Sequence, residues 1–347
     1  VNTRLLYRAS DFPIFQNRMY DSADAARACP RGQIEIVEDL RSGLVRNAAF
    51  DADLMVYDTA YQNEQANSHA FQSHLNWVGD LVFDTMDTGS LIEVGCGKAT
   101  FFDLLSERGA NITGFDPTYE GNDPRIKKVL FSADLGLNAK GLILRHVLEH
   151  IQDPVDFLMQ LSAANGGQGL IYIEVPCFDW ICDNRAWFDI FYEHVNYFRL
   201  SDFQKIFGNL VAAGHCFGGQ YLYAIGDLAT LRKPNYDPQN PVDFPDDFAA
   251  SLQRATSAQD MVWGGASKGL IYALLRARAG NPVQGVIDIN PDKQGKYLAA
   301  TGLQVQAPEE VLPRLPADTN ILVMNPNYVK EIKEMSGNAY TYTVVGT

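Results

Sequence analysis

Twice along this chain a short apolar run breaks into a glycine-bearing turn and then into a helical pattern, as LIEVGCGKATFF at 91–102 and as MVWGGASKGLIY at 261–272. A strand that feeds a helix through glycines opens a parallel α/β unit, because the crossover must pack back on its own sheet. Two such openings predict two α/β units. The 347 residues suffice for both and for a small appendage.

Around the first opening the pattern reads strand 91–95, helix 100–108, strands 111–116, 128–132 and 141–146, helix 153–164 and strand 169–175. A helical stretch over 61–86 precedes it, with Phe71, Leu75, Val78, Leu81, Val82 and Phe83 recurring at helical intervals. The segment GGQYLYAIGDL at 218–228 is expected to close the sheet as an antiparallel edge hairpin. Strands alternating with helices predict a doubly wound sheet covered on both faces. Four prolines with Asp and Asn between 232 and 247 mark a linker. The second unit then reads strand 261–265, helix 267–279, strand 283–289, helix 308–314, strand 320–325, a helix from 328 and strand 341–345. The expected organisation is a β-rich appendage at 1–58, a core at 59–232, a linker at 233–256 and a Rossmann-like unit at 257–347.

The net charge of −14 repels polyanions, which argues against nucleic acid and anionic membranes as partners. No apolar run reaches the roughly 20 residues of a membrane span, and VNTRLLYRAS lacks a signal layout, so a cytoplasmic protein is expected. Five cysteines without a C-x-x-C pair read as reduced thiols.

In IEVGCG the acid Glu93 ends the strand, and Gly95 and Gly97 let backbone N–H groups and a helix N-terminus approach a ligand. Asp116 stands at the next strand end, about 20 residues on, where a carboxylate can accept ribose hydroxyls. Asp134 follows the third strand and is placed to meet an adenine amino group. Glycine spacing leaves NAD and S-adenosylmethionine equally open. The run EVGCG, then GFDP, then RHVLEHIQDPVDFL at 145–158 resembles class I S-adenosylmethionine-dependent methyltransferases from about 75 to 228. That resemblance implies S-adenosylmethionine as cofactor, with Gly95 and Gly97 at its methionine portion, Asp116 at the ribose and Asp134 at the adenine.

Residues 145–200 combine His146, His150 and His194 with a high density of aromatics, and an imidazole near pH 7 can take a proton from a carbon acid or a hydroxyl. The order YDTAYQNEQANS (57–68), IEVPCFDWICDNRAWFDIFYEHVNYF (173–198), VWGGASKG (262–269) and VIDINPDKQGKYL (286–298) resembles the sugar C-methyltransferases of deoxysugar and surface-polysaccharide biosynthesis. The resemblance implies a nucleotide-linked keto sugar as substrate, deprotonated beside its carbonyl by a histidine. Carried over, His194 is the base with Glu193 its partner, His150 is a second active-site histidine, and Tyr61 matches a tyrosine ahead of the first core helix. Phe191 stands where that family's Tyr-x-Glu-His segment has tyrosine. Tyr7 and Ser10 stand where many members carry zinc-binding cysteines, so an appendage without metal is expected. Gly264, Gly265, Ser267 and Lys268 can hold a diphosphate through backbone donors and one cation. An O-methyltransferase, a non-catalytic cofactor-binding partner and an NAD-dependent sugar enzyme remain as alternatives; the last lacks a Tyr-x-x-x-Lys segment in the core.

Overall fold

The computed structural model describes residues 2–55, 68–136, 138–254 and 259–346. Its central sheet has seven strands, in the order Leu210–Cys216, Tyr221–Asp227, Leu170–Pro176, Gly141–Arg145, Leu91–Val94, Ile112–Phe115 and Ile126–Lys127. From Leu170–Pro176 to Ile126–Lys127 all neighbours run parallel, and the two strands from 210 to 227 form the antiparallel hairpin at the edge. The period of two along a strand sorts the core into two layers. Leu142, Leu144, Ile171 and Ile173 belong to the apolar cluster on one face, while Ile143 and Tyr172 belong to the cluster on the other. Helices cover both faces, among them His69–Thr85, Thr100–Glu107 and Pro154–Ala164. This is the mostly parallel α/β sheet of class I methyltransferases.

One expected strand is shorter than its apolar run. Only Ile126–Lys127 pairs, on one side, with Ile112–Phe115, and the chain leaves the sheet before 128–132. Val129 and Leu130 stay 46% and 75% exposed, because among the described residues no further strand lies beyond this edge to reward continued pairing.

The C-terminal sheet has five parallel strands, in the order Val305–Gln306, Gly285–Ile287, Asp260–Trp263, Asn320–Val323 and Thr341–Val344. In each sheet the strand before the glycine turn lies between the strand that follows it and a later one. Each turn therefore opens at a switch point, where parallel sheets leave a crevice. Residues 232–249 carry neither helix nor strand.

The N-terminal strands Thr3–Pro13, Arg31–Asp39 and Val45–Asn47 do not stand apart. Asn196–Tyr197 joins them as a fourth strand, and Met19–Tyr20 pairs with Tyr297–Leu298 of the C-terminal unit. One apolar cluster contains Phe12 and Ile34 from this segment, Trp187 and Tyr192 from the core, and Leu270 and Val286 from the C-terminal unit. Trp187 stacks on Tyr272 with ring centres 5.2 Å apart, an arrangement worth about 0.5–1.5 kcal/mol beyond burial. Cys29 lies within this cluster, and Tyr7 meets Phe248 edge-on at 5.2 Å.

Candidate functional site

A cavity of about 370 Å³ lies between the central and C-terminal sheets, within the range of small-molecule sites. Both glycine turns reach it, and so do Glu149, His150 and His194.

Gly95 adopts φ +77, and a Cβ there would run into Val147, so only glycine fits. Gly97, at φ +53, faces open space, and its N–H donates to Asp116 Oδ2 at 2.8 Å. The other Asp116 oxygen accepts from the N–H and hydroxyl of Thr118 at 2.8 and 2.7 Å. These bonds lock the carboxylate against the turn and leave one lone pair on Oδ2 for a ligand. The helix Thr100–Glu107 begins after Ala99 without a side-chain cap and points its N-terminus at the cavity, which Thr100 and Phe101 line. Glu93 is 3% exposed and its Oε2 has no partner among the described residues. Burial above all, then the charges of Asp116 and Asp103 against the relief from Arg145, pushes this carboxyl up to about 7. An unsatisfied carboxyl beside a glycine turn suits a cationic group, and the ammonium and sulfonium of S-adenosylmethionine are such groups. The residues at this turn therefore fit the cofactor. Asp134 sits on the short turn Ala133–Leu135, exposed and away from the residues that line the cavity.

Below the cavity floor lies a buried ionic network centred on Glu174. Its carboxylate accepts from Arg145 at 2.8 Å and from the Tyr172 hydroxyl at 2.6 Å, with His74 and His146 at 3.1 and 3.0 Å. Burial disfavours its charge, but Arg145 and the two histidines hold it well below the usual carboxylate range. His146 adopts φ +51, a strained conformation for a non-glycine residue. Burial opposes its charge, yet the carboxylates of Glu149 and Glu174 beside it outweigh that and hold the ring up at about 9.

The strand Gly141–Arg145 ends beside the cavity, and the turn Leu148–His150 follows. His150 Nδ1 lies 2.8 Å from the Glu193 carbonyl oxygen. A carbonyl only accepts, so Nδ1 donates its N–H to it. The His150 and His194 rings meet edge to face at 5.0 Å, and Phe191 lies edge-on to His194 at 4.8 Å. Burial first, then the charge of His150, pushes His194 down to about 3, so it is neutral near pH 7.

One expected partner sits elsewhere than sequence adjacency suggests. The Glu193 carboxylate, 1% exposed, accepts the backbone N–H of Gln16 at 2.9 Å and so anchors the N-terminal segment. The carboxylate facing His194 belongs to Glu149: one coordinating atom from each of Glu149, His150 and His194 lies within 4.8 Å of the others. Tyr192 likewise points away from the cavity and receives the Asp51 N–H at 2.9 Å. Tyr61 falls outside the described residues.

At the second turn the Gly265 N–H donates to Asp288 Oδ2 at 2.6 Å, repeating the bond from Gly97 to Asp116. The rule that finds Asp116, an acid at the end of the strand after the turn, also finds Asp288, which the sequence reading passes over. Lys268 is not a free cation: its ammonium pairs with Asp189 at 2.7 Å, donates to Gln220 at 2.6 Å and sits 5.0 Å over the Trp180 ring. Ser267 donates to Asn17 at 3.0 Å. Polar groups with capacity on this side are Asn290, whose buried Nδ2 lacks a partner among the described residues, and Lys293, 3.5 Å from Asp288.

Comparison with known proteins matches the sequence profile of a family described as a methyltransferase domain to residues 60–210. The C-methyltransferase NovU of Streptomyces niveus is 24% identical over 163 residues, 42% of this chain and 39% of that protein. The match thus spans well under half of that relative's length. Among solved structures, a SAM-dependent methyltransferase from Archaeoglobus fulgidus is 15% identical, with 46% of this chain and all of that chain covered at a TM-score of 0.36. The N-methyltransferase NodS from Bradyrhizobium japonicum is 12% identical, with 46% and 96% covered at 0.33. Residues 60–210 are accordingly a methyltransferase domain, of the class whose cofactor is S-adenosylmethionine.

Proposed function

We propose that the chain transfers a methyl group from S-adenosylmethionine to a sugar, carried on a nucleotide, with His194 as general base and carbon as the preferred acceptor atom. The observation that carries this is one cavity faced by the Gly95–Gly97 turn, by the His150 and His194 pair and by the second, nucleotide-type turn. Bound at the first turn, the cofactor supplies an electrophilic methyl group on a sulfonium. His194, neutral near pH 7, takes the acceptor's proton, and the electron pair left on carbon bonds to the methyl carbon as the carbon–sulfur bond breaks. The likeness to a C-methyltransferase supports the carbon acceptor. At the second turn the N–H groups of Gly264, Gly265 and Ser267 already donate to the Ile287 carbonyl, Asp288 and the Gln16 carbonyl, so these residues shape the turn that faces the diphosphate rather than supply its donors. Because Lys268 is tightly paired with Asp189 at 2.7 Å, the cation for it is assigned to Lys293, which stands farther from its own carboxylate, Asp288, at 3.5 Å.

The test begins with thermal shifts for sugar nucleotides in the presence of S-adenosylhomocysteine, since a ligand of the native state raises its stability. With the keto-sugar nucleotides of that panel, wild type should exchange the hydrogen next to the carbonyl for solvent deuterium. His194→Asn should bind S-adenosylhomocysteine normally and lose about 10²–10⁴-fold in turnover, and His150→Asn should lose less. Methylation without exchange moves the acceptor to a hydroxyl. Full activity in His194→Asn removes this histidine from the chemistry.

A further inference from the structure

An imidazole held as low as His194 is a weak base, because proton transfer follows the basicity of the acceptor. Something in the site must favour its protonated form when the proton arrives. The neighbouring residue in sequence, Glu193, has its carboxylate on the Gln16 N–H. His150, His146 and Lys268 all oppose its protonation, and Glu149 is the carboxylate that favours it.

The geometry gives Glu149 that place. It sits on the turn Leu148–His150, is 1% exposed and lines the cavity. Oε1 lies 3.5 Å from His146 Nδ1, which steadies one side of the carboxylate. Oε2 is buried with no partner among the described residues, a cost a fold bears only where the group has another use. An atom of the carboxylate is within 4.8 Å of a coordinating nitrogen of His194. His150 is held through Nδ1 on the Glu193 carbonyl oxygen.

We infer that Glu149 is the positioning residue of the base, the carboxylate that orients the His194 imidazole and stabilises it as imidazolium, while Glu193 ties the N-terminal segment to the site. This rests on the base role proposed for His194. In the step, the acceptor's proton passes to the His194 nitrogen, the carboxylate stays ionised, and the positive charge formed on the ring is balanced by Glu149.

The test needs no acceptor. Diethylpyrocarbonate attacks the lone pair of neutral imidazole, so carbethoxylation of the full chain at pH 7 with S-adenosylhomocysteine bound, followed by peptide mass spectrometry, reads the basicity of each histidine. His194→Asn identifies the peptide signal. In Glu149→Gln the rate at His194 should fall about tenfold, with Glu149→Asp restoring part of it and Glu193→Gln leaving it within about twofold. Melting temperature and S-adenosylhomocysteine affinity serve as folding controls, and Glu149→Asp, which keeps the charge that balances His146, carries the test if Glu149→Gln does not fold. An unchanged rate in the Glu149 variants, or a fall in Glu193→Gln alone, overturns the assignment. The base role fails separately, through full turnover in His194→Asn.

Discussion

The two glycine turns are one device in backbone terms and differ in what fills them. In each, the second glycine's N–H is held by an aspartate at the end of the next strand, at 2.8 Å in the core and 2.6 Å in the C-terminal unit. At Gly97 the space is open, and Glu93 Oε2 nearby has no partner among the described residues. At the second turn, Asn17, Asp189 and Gln220 from other units already hold Ser267 and Lys268. A glycine motif therefore reports a backbone shape, and the neighbours decide whether that shape is a cradle or a clasp.

The sharpest way to break this contrast is the same substitution in both turns. A Cβ at Gly269 would run into the Gly264 carbonyl oxygen, so Gly269→Ala should cost about 3 kcal/mol or more, read as a lowered melting temperature. Gly97→Ala meets nothing and pays only the left-handed backbone, about 1–2 kcal/mol; its main loss should be in S-adenosylhomocysteine affinity. Equal stability losses would erase the distinction. Next comes Lys268→Met, which strands the Asp189 carboxylate, 6% exposed on its side chain, and should cost about 3 kcal/mol. Adding Asp189→Leu should return most of it. If Lys268→Met instead leaves the melting temperature alone and abolishes binding of uridine diphosphate, Lys268 is a diphosphate ligand after all.

Asp116→Ala should weaken S-adenosylhomocysteine binding by about 1.5–3 kcal/mol in calorimetry, the worth of hydrogen bonds to a charged group, and unchanged affinity would move the ribose elsewhere. The smallest effect concerns pH. Glu93 stands near 7, raised above the ordinary carboxyl value, and a bound cation favours its ionised form. Affinity for S-adenosylmethionine should therefore rise on the order of tenfold from pH 6 to pH 8, with about one proton released on binding at pH 6. Glu93→Gln should flatten that slope.

These contrasts also show what a sequence exposes. The parallel core was legible because interior strands such as Leu91–Val94 are buried on both faces and read as unbroken apolar runs. The run at 128–132 carries the same apolar signal, but its place at an uncovered edge is a tertiary fact. Asp116 was legible from spacing, and Asp288 by the same rule. Glu149 was not: adjacency pointed to Glu193, and nothing local tells that the chain turns one carboxylate to Gln16 and the other to His194. Lys268 looked free for the same reason, since Asp189 and Gln220 are remote in sequence.

The pairing of Met19–Tyr20 with Tyr297–Leu298, and of Val45–Asn47 with Asn196–Tyr197, has a consequence for synthesis in the cell. At about 5–20 residues per second, the partner of Tyr20 leaves the ribosome on the order of tens of seconds after Tyr20 itself. Phe12, Ile14 and Ile34, all fully covered in the finished protein, wait through that interval with their permanent neighbours not yet made. This segment is thus made long before it is completed, and growth temperature and holdase chaperones should govern its yield more than the stability of the finished fold.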